Sequence, residues 1–313
     1  MKLKLTILAA FVSLGVYAQE KIEKNFTGIE NVKLATGSGD CILKKSADKS
    51  VKVVLEHYYN SDNYSPTIEQ QGSTLVIKEE SRGSYSGKSP IWTITIPDNV
   101  DVRMNTGSGD MTASDLRASI DMNAGSGDIS LKNMGGDLRV NTGSGDLFVD
   151  KYDGDLKVNT GSGNMEVNSI KGDVKLNAGS GDISIRGAIG GIYANVGSGD
   201  IKADVVEVTD NSGFNSGSGD VEVELSKGPL ADLSVNSGSG DAELDFNGND
   251  FTGEVVMKAD KKKGRIDAPF SFDTEEEEDK SYGNVTLVKT KKFDNSGIEI
   301  KIGTGSGVAS ISK

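Results

Sequence analysis

Residues 140–167 read VNTGSGDLFVDKYDGDLKVNTGSGNMEV, and the word NTGSG occurs twice in this stretch, eighteen positions apart. A nine-residue unit of another type, DKYDGDLKV, lies between NTGSGDLFV and the second NTGSG, so the period of eighteen residues consists of two nine-residue units. Units of the first type begin at Asn105 and recur as NTGSGDMTA, NAGSGDISL, NTGSGDLFV, NTGSGNMEV, NAGSGDISI and NVGSGDIKA. A fixed internal period predicts a repeat architecture in which each unit stacks on the next.

Short strands are predicted at the end of every unit. Positions seven and nine of a unit are apolar and position eight is mostly polar, as in Leu156, Lys157 and Val158. Successive side chains of a strand point to opposite faces, so this alternation indicates strands with one buried face. Helices are disfavoured, because each of the 40 glycines would cost a helix interior about 1 kcal/mol relative to alanine.

Two architectures can use such strands. In an antiparallel meander GSGD would be a hairpin turn, whereas in a parallel solenoid it would be a corner between two faces of a coil. We favour an all-β, single-chain parallel β-helix with eighteen residues per coil. In a solenoid, equivalent residues of successive coils stack on one another, and the sheet does not have to close on itself as the strands of a meander would. With coils about 4.8 Å apart, the corners from Gly107 to Gly238 would form a rod on the order of 40 Å long.

The solenoid predicts columns of equivalent side chains in its interior. Each buried large aliphatic side chain contributes about 1.5 to 3 kcal/mol, but only when its neighbours are stacked on it. Two columns are expected: Met111, Ile129, Leu147, Met165, Ile183, Ile201 and Val221, and Met122, Val140, Val158, Leu176 and Ala194.

The terminal coils of a repeat array need caps that cover their apolar faces, and the eighteen-residue period is lost at both ends of the chain. We expect a signal peptide at 1–18, an N-terminal β segment and cap at 19–104, the regular GSGD-repeat solenoid at 105–244, and a C-terminal β segment and cap at 245–313. The corner word is still present at Ala35, in ATGSGDCIL, and near the end, in IGTGSGVASISK. The acidic stretch DTEEEEDKSYG at 273–283 is interpreted as a solvated loop.

Export is predicted from the first twenty residues. Lys2 and Lys4 precede an apolar run from Leu5 to Val16, and Ala18 supplies a small residue for cleavage. The run is shorter than the roughly 20 residues that span a bilayer, and no later segment comes close, so no membrane-spanning helix is expected. We expect a periplasmic, cell-surface or secreted protein, and the distance of Cys41 from the cleavage site argues against a lipid anchor.

The net charge of -13 argues against nucleic acid as a partner, since phosphate binding needs clustered Lys and Arg. A single cysteine excludes an intramolecular disulfide. Cys41 stands where other repeats carry Met, Ile or Leu, which predicts a buried, inert thiol. His57 is the only histidine, so Cys/His metal clusters are excluded, and no catalytic triad spacing is recognisable. No catalytic residue, cofactor or metal is therefore expected.

Two polar columns accompany the corners. Stacked carboxylates about 4.8 Å apart repel by about 0.9 kcal/mol in water, which a solvated corner tolerates. The replacement of Asp by Asn164 in this column favours a turn role over calcium binding, because Asn still accepts from turn amides. We attribute the glycines to positive φ angles. The Asp column is Asp110, Asp128, Asp146, Asp182, Asp200, Asp220 and Asp241. The Asn column, expected to form a hydrogen-bonded ladder that holds register, is Asn105, Asn123, Asn141, Asn159, Asn177, Asn195, Asn215 and Asn236.

The most ligand-like segment is HYYNSDNYSP, in which Tyr58, Tyr59 and Tyr64 alternate with polar groups. Exposed tyrosines can stack on sugars or anchor a protein partner, although such rings also pack on caps. These three residues are the candidate contacts to an unknown protein or glycan of the cell envelope or the extracellular surface.

The chain resembles the bacterial adhesin families of β-strand-repeat proteins, including those called head GIN domains. The resemblance is carried by FTGIENVKLATGSGDCIL, STLVIKEE, IWTITIPDNVDVRMNTGSGD, the GSGD array and the final IEIKIGTGSGVASIS. It implies an exported single-chain β-helix with a role in surface attachment or at the envelope, and it carries over no catalytic or metal position. We therefore expect a non-catalytic display or binding protein. A carbohydrate-active enzyme on a β-helix and a calcium-stabilised solenoid remain as alternatives.

Overall fold

The computed structural model describes residues 19–59, 64–81, 88–280 and 284–313. The expected signal peptide, residues 1–18, lies outside these ranges. The described chain consists of 29 strands in two long sheets and contains no helix. We call the sheet of 14 strands sheet A and the sheet of 15 strands sheet B.

The strands of sheet A are, in chain order, β1 (Glu20–Phe26), β3 (Asp40–Lys45), β4 (Val51–His57), β7 (Ile91–Ile96), β9 (Met111–Ser114), β11 (Ile129–Gly135), β13 (Leu147–Asp153), β15 (Met165–Lys171), β17 (Ile183–Gly190), β19 (Ile201–Val208), β21 (Val221–Leu225), β23 (Ala242–Asp245), β25 (Arg265–Asp267) and β29 (Val308–Ser312). The strands of sheet B are β2 (Asn31–Thr36), β5 (Tyr64–Gln71), β6 (Thr74–Ser81), β8 (Asp101–Thr106), β10 (Ile120–Ala124), β12 (Leu138–Thr142), β14 (Leu156–Ser162), β16 (Val174–Ser180), β18 (Ile192–Ser198), β20 (Ser212–Ser216), β22 (Leu233–Ser237), β24 (Glu254–Asp260), β26 (Thr274–Lys280), β27 (Asn284–Lys292) and β28 (Glu299–Thr304).

Each regular coil contains one strand from each sheet. β12 leads through the corner 143–146 into β13, and the chain then turns at Gly154 into β14. β12 pairs in parallel with β14, and β13 with β15, so that Leu147 stands opposite Met165. Equivalent residues of successive coils therefore lie over one another. The parallel solenoid is confirmed, and the meander is excluded because its consecutive strands would pair antiparallel.

Both predicted interior columns are present. The register joins the Met111 and Met122 columns residue by residue across the coils. Their members are 0 to 2% exposed, so the space between the sheets is filled with stacked aliphatic side chains. This burial stabilises the array only through contacts between neighbouring coils, since each side chain packs on its copies above and below.

The first and last regular coils lie inside the segments in which we expected caps. β2 and β3 form a regular coil that pairs in parallel with β8 and β9 on one side and with β6 and β7 on the other. At the other end, β28 lies between β22 and β24, and β29 lies between β23 and β25. The outermost coils of the rod are thus built from insertions, residues 46–100 and 246–298, that fold back over the coil before or after them.

Antiparallel strands and aromatic side chains close the two ends. β4 pairs antiparallel with β1 and β7, and β5 pairs antiparallel with β6. At the C-terminal end Phe251 packs edge-on against Phe246 and Phe270, with ring centres 5.0 and 5.2 Å apart. These covers protect the last coil of the core, which in a parallel solenoid would otherwise expose its apolar face.

Residues 274–280 of the acidic stretch form a strand and not the loop that its composition suggested, and residues 281–283 of the stretch lie outside the described residues. β26 pairs antiparallel with β27, and Glu275 stands opposite Lys289, with an ion pair of 3.0 Å. Glu278 pairs with Lys258 of β24 at 3.1 Å. Lysines on the neighbouring strands therefore compensate the repulsion between successive glutamates, which the local sequence could not reveal.

Candidate functional site

The GSGD corners are turns whose glycines are required by close stacking of the backbone. A Cβ on Gly143 would lie 2.4 Å from the carbonyl oxygen of Gly125 in the coil before, and one on Gly145 would lie 1.9 Å from that of Gly127. Neither Gly143 nor Gly145 has a positive φ. Our attribution of the glycines to positive φ is therefore wrong for this corner.

Positive φ angles do occur at other corners. Gly136 and Gly154, on the side opposite the GSGD corners, have φ angles of 103° and 146°. In two later GSGD corners, Gly181 and Gly199 have φ angles of 110° and 151°. The attribution to positive φ, which concerned the GSGD corners, is therefore correct at Gly181 and Gly199.

The Asp column is satisfied from coil to coil. Each side-chain oxygen accepts a hydrogen bond from the backbone amide of the equivalent residue in the next coil, as from Asp128 to Asp110 at 2.9 Å. Asn164 takes part in the same way, because its amide donates to Asp146 and its side chain accepts from the amide of Asp182. These bonds explain why carboxylates stack here and why Asn can replace Asp.

The predicted asparagine ladder is confirmed at every step. The side-chain amide of each Asn donates to the carbonyl oxygen of the Asn one coil earlier, from Asn123 through Asn236, at 2.9 to 3.1 Å. The ladder lies on the outer face of sheet B and fixes the register of neighbouring strands.

A groove of about 1050 Å³ runs along the outer face of sheet B, parallel to the solenoid axis; we call it the axial groove. One side is an acid column, and the other is a cation column that lies two residues further along each strand. The backbone of inward-pointing residues such as Leu138 and Leu156, whose side chains are buried, forms the floor. The acid column consists of Asp101, Asp137, Asp155 and Asp173, and the cation column of Lys33, Arg103, Arg139, Lys157 and Lys175.

Opposite charges face one another across the groove without contact in three successive coils. Arg103 forms an ion pair of 3.3 Å with Asp121, which interrupts the cation column. Beyond that point Asp137, Asp155 and Asp173 form one side and Arg139, Lys157 and Lys175 the other. None of these six side chains makes an ion pair within the described part of the chain. One oxygen of Asp155 and one of Asp173 accept long hydrogen bonds, of 3.4 and 3.3 Å, from backbone amides of the next coil, and the other oxygen of each has no hydrogen bond to the described residues.

An exposed tyrosine ends this arrangement. Tyr193 follows Lys175 in the register and is 43% exposed, which is unusual here because the large apolar side chains are otherwise mostly buried. The next residue in its column is Gly213, and the acid column carries Gly191 at this coil. A Cβ on Gly213 would lie 3.4 Å from Cδ1 of Tyr193, so the edge of the ring lies close to the backbone of Gly213.

The three tyrosines selected from the sequence lie together at the N-terminal end of the rod. Tyr64 is 3% exposed, and its hydroxyl donates to Glu79 Oε1 at 2.7 Å. Burial, together with this hydrogen bond and the charge of Glu79, raises the pKa of Tyr64. The ring packs 4.7 Å from His57 and 5.2 Å from Tyr59 between ring centres, so it is part of the cap. An exposed contact role does not fit Tyr64.

Tyr58 and Tyr59 are half-buried and remain accessible in part. The Tyr58 hydroxyl donates to Gln19 Oε1 at 3.3 Å, and the ammonium group of Lys88 lies 5.8 Å from its ring centre. His57 is buried, and its Nδ1 accepts from the backbone amide of Tyr59 at 3.3 Å. Residues 60–63 of this predicted segment lie outside the described residues.

Cys41 is buried in the Met111 column, directly paired with Met111, as the repeat predicted. Burial raises the pKa of its thiol to about 12. In the ranges that the structure describes, no three His, Cys, Asp or Glu side chains are grouped as metal ligands. No helix in those ranges has the length and apolar character needed to cross a bilayer.

The axial groove was missed by the sequence analysis, although its signal is present. The second half-units LRVN, LKVN and VKLN place a cation two residues before each Asn, and the preceding GGD, DGD and KGD place an acid two residues before the cation. Read as a column, this pattern predicts a charged stripe. The contacts expected from the sequence, Tyr58, Tyr59 and Tyr64, lie in an irregular segment, whereas Tyr193 lies in the regular array.

The model of the Toastrack DUF4097 family matches residues 29–277 of this chain. The comparison with curated proteins gives no match. A solved structure from Clostridium sporogenes, provisionally named a cell adhesion protein, is 14% identical; the match covers 94% of this chain and 99% of that chain, with a TM-score of 0.22.

Two further solved structures are similar over most of their length. One from Bacteroides fragilis, provisionally named an adhesin, is 12% identical, with coverage of 95% and 98% and a TM-score of 0.40. One from Parabacteroides distasonis, provisionally named a lipid binding protein, is 14% identical, with coverage of 94% and 96% and a TM-score of 0.46. Because the family model matches well over half of the chain, the chain belongs to the Toastrack DUF4097 family.

Proposed function

We propose that this chain is an exported, non-catalytic β-solenoid of the adhesin type, close to the head GIN domains, that binds a partner at the cell envelope or cell surface. The observation that carries the proposal is the axial groove, which presents the same pair of charged groups in three successive coils along a rigid face. A rigid repetitive surface suits recognition of an extended partner, because the binding groups are already ordered before contact.

Export rests on the first eighteen residues, whose layout is that of a signal peptide. Expression of the full chain with its leader, followed by fractionation and intact mass, tests it. We expect a product lacking residues 1–18 outside the cytoplasm. Retention of the full-length chain in the cytoplasm would contradict export.

Binding is tested with the mature protein on envelope fractions and a glycan array. We expect saturable binding, and the candidate contacts predict that Tyr58→Ala and Tyr59→Ala weaken it. Tyr64→Phe is the matched control, since it keeps the buried ring and removes only the hydroxyl bond to Glu79. Absence of binding to every envelope fraction would overturn the proposed function.

The enzymatic alternative predicts turnover, since the outer faces carry many carboxylates and a carboxylate pair can cleave glycosidic bonds. A polysaccharide cleavage screen distinguishes it from binding alone. We expect no new reducing ends after prolonged incubation. Cleavage that disappears when one pair of outward carboxylates is changed to amides would favour the enzyme.

The calcium alternative predicts a higher melting temperature with the ion. The Asp column already accepts backbone amides from coil to coil, so its oxygens are engaged in a structural role. We expect the same melting temperature in chelator and in millimolar calcium. A rise with calcium would favour a calcium-stabilised solenoid.

A further inference from the structure

We infer that the axial groove binds a linear, uncharged polysaccharide that lies parallel to the solenoid axis, with one sugar ring stacked on Tyr193. The inference rests on the proposed function and names the partner class and the residues that hold it. It uses a surface other than the tyrosine cluster at the N-terminal end.

The repeat of the groove suits a polymer rather than a compact ligand. Equivalent side chains on both sides recur at the spacing of neighbouring strands, about 4.8 Å, which is close to the length of one sugar unit in an extended glycan. From Lys33 to Tyr193 the column has seven positions, joined residue by residue in the sheet register. A chain along the axis therefore meets similar groups at three successive sugars, those beside Arg139, Lys157 and Lys175, before it reaches Tyr193.

The chemistry of the two sides suits hydroxyl groups. Asp155 can accept a hydrogen bond from a ligand, and Lys157 can donate one, but the two side chains do not pair with each other across the groove. A sugar hydroxyl both donates and accepts, so vicinal hydroxyls can bridge such a pair through charge-assisted bonds. The floor between the columns is backbone, since the side chains between them, such as those of Leu138 and Leu156, are buried, and it leaves room for an extended chain.

The balance of charge favours an uncharged chain. The groove is lined by five cationic side chains and by six carboxylates, which include Asp121 and Asp210. A polyanion would be attracted by the cation column and repelled by the acid column, and a polycation would be attracted by the acid column and repelled by the cation column. The groove therefore lacks the one-sided field that concentrates a charged polymer.

Tyr193 provides a stacking platform at one end. Its ring is accessible, Lys175 is the last cation of the column before it, and the residue that follows it in the column, Gly213, carries no side chain. Aromatic rings with an apolar face and a polar tip are effective anchors for ligands of mixed polarity. This is the position at which we expect the largest loss on substitution.

The test uses the mature chain and linear β-1,4-linked glucan, mannan and N-acetylglucosamine oligosaccharides of increasing length, with polygalacturonate as a charged probe. Calorimetry should show affinity for at least one neutral series, rising with length until the chain fills the groove. Tyr193→Ala should weaken binding about tenfold, and Lys157→Ala should weaken it less. Phe148→Ala, a half-buried aromatic on the outer face of sheet A, is the matched control and should bind as the unaltered protein does.

Circular dichroism and thermal melting establish that each variant is folded. Absence of binding to all three neutral series, unchanged binding by Tyr193→Ala, or stronger and salt-sensitive binding of polygalacturonate would each overturn the inference. These results are separable from the proposed function. Binding to envelope fractions that survives Tyr193→Ala retains the envelope role and rejects the glycan groove, whereas absence of envelope binding rejects the role itself.

Discussion

One backbone angle constrains one residue type in five successive coils, at a bend that directly follows strand β9 and lies within β11, β13, β15 and β17 of sheet A. Equivalent positions in four successive coils have left-handed angles, with φ of 61° at Asp115, 52° at Asn133, 59° at Lys151 and 55° at Ser169. Gly187 follows with φ of 71°. Asn, Asp and Gly adopt this region readily, whereas Lys does so at a cost. Lys151 is therefore the least suited residue of the column.

We expect Lys151→Asn to stabilise the protein by about 0.5 kcal/mol, because Asn tolerates the left-handed region. Lys151→Val should destabilise it by about 1 to 2 kcal/mol, since a β-branched side chain is strained there. Urea unfolding of both variants provides the measurement. Equal effects of the two substitutions would show that φ does not govern this position.

The buried thiol predicts a dependence on alkaline pH. Because burial raises the pKa of Cys41 from 9.0 to about 12, the folded protein keeps a proton that the unfolded chain loses. Its contribution to stability is thus complete below pH 9.0 and is lost as the pH rises toward about 12, by about 1.4 kcal/mol per pH unit.

Urea unfolding of the unaltered protein and of Cys41→Val between pH 8 and pH 10 measures this effect. We expect the difference in unfolding free energy to shift in favour of the variant above pH 9. Tyr64 and Tyr152, whose pKa values burial also raises, are present in both proteins and cancel. Parallel stability curves would contradict a buried neutral thiol.

At the scale of the element, the GSGD corner combines a local turn with a contact between coils. Thr142 Oγ1 accepts a hydrogen bond from the amide of Gly145 at 3.1 Å, which closes the turn within its own coil. A Cβ placed on a corner glycine would lie 1.9 to 2.6 Å from the carbonyl oxygen of the equivalent glycine in the preceding coil. This close approach arises only when the coils stack. The turn could be predicted from composition, but the reason for the glycines could not, because it depends on a residue eighteen positions away.

Gly143→Ala should therefore destabilise the protein by about 1 to 3 kcal/mol, because its methyl group would collide with the Gly125 carbonyl and separate two coils. Gly228→Ala is the matched control, since a Cβ there meets nothing within 4 Å. Thermal and urea unfolding measure both. If the two substitutions have the same effect, close stacking is not what requires glycine at the corner.

At the scale of the whole molecule, stability is a property of stacked coils. The fourteen strands of sheet A, at about 4.8 Å each, form a rod about 60 Å long. Every regular coil contributes one strand to each sheet, and its interior side chains are covered by neighbours only. Removal of one complete coil preserves this arrangement, whereas removal of half a coil moves every later strand to the opposite sheet.

Deletion of residues 147–164, one full period, should leave a folded β-rich protein with a lower unfolding free energy, because Met165 would take the place of Leu147. Deletion of residues 147–155 should prevent folding, since β12 and β14, which both belong to sheet B, would then follow one another with no sheet A strand between them. Circular dichroism, size-exclusion chromatography and urea unfolding distinguish the two. A folded half-period deletion would contradict the eighteen-residue coil.

The repeat itself determined the period, the strand positions, the two interior columns, the asparagine ladder and the buried place of Cys41. These follow from side-chain alternation and from identical units, which are local properties of the chain. Tertiary structure alone decided that residues 31–45 and 299–312 are inner coils, because their partners are separated from them by the insertions that form the ends. Tertiary structure also decided that the glutamates of β26 form a strand, since the lysines that compensate their charge lie on other strands. Finally, it decided that charged columns face each other across the axial groove, because only stacking of the coils places residues eighteen positions apart side by side.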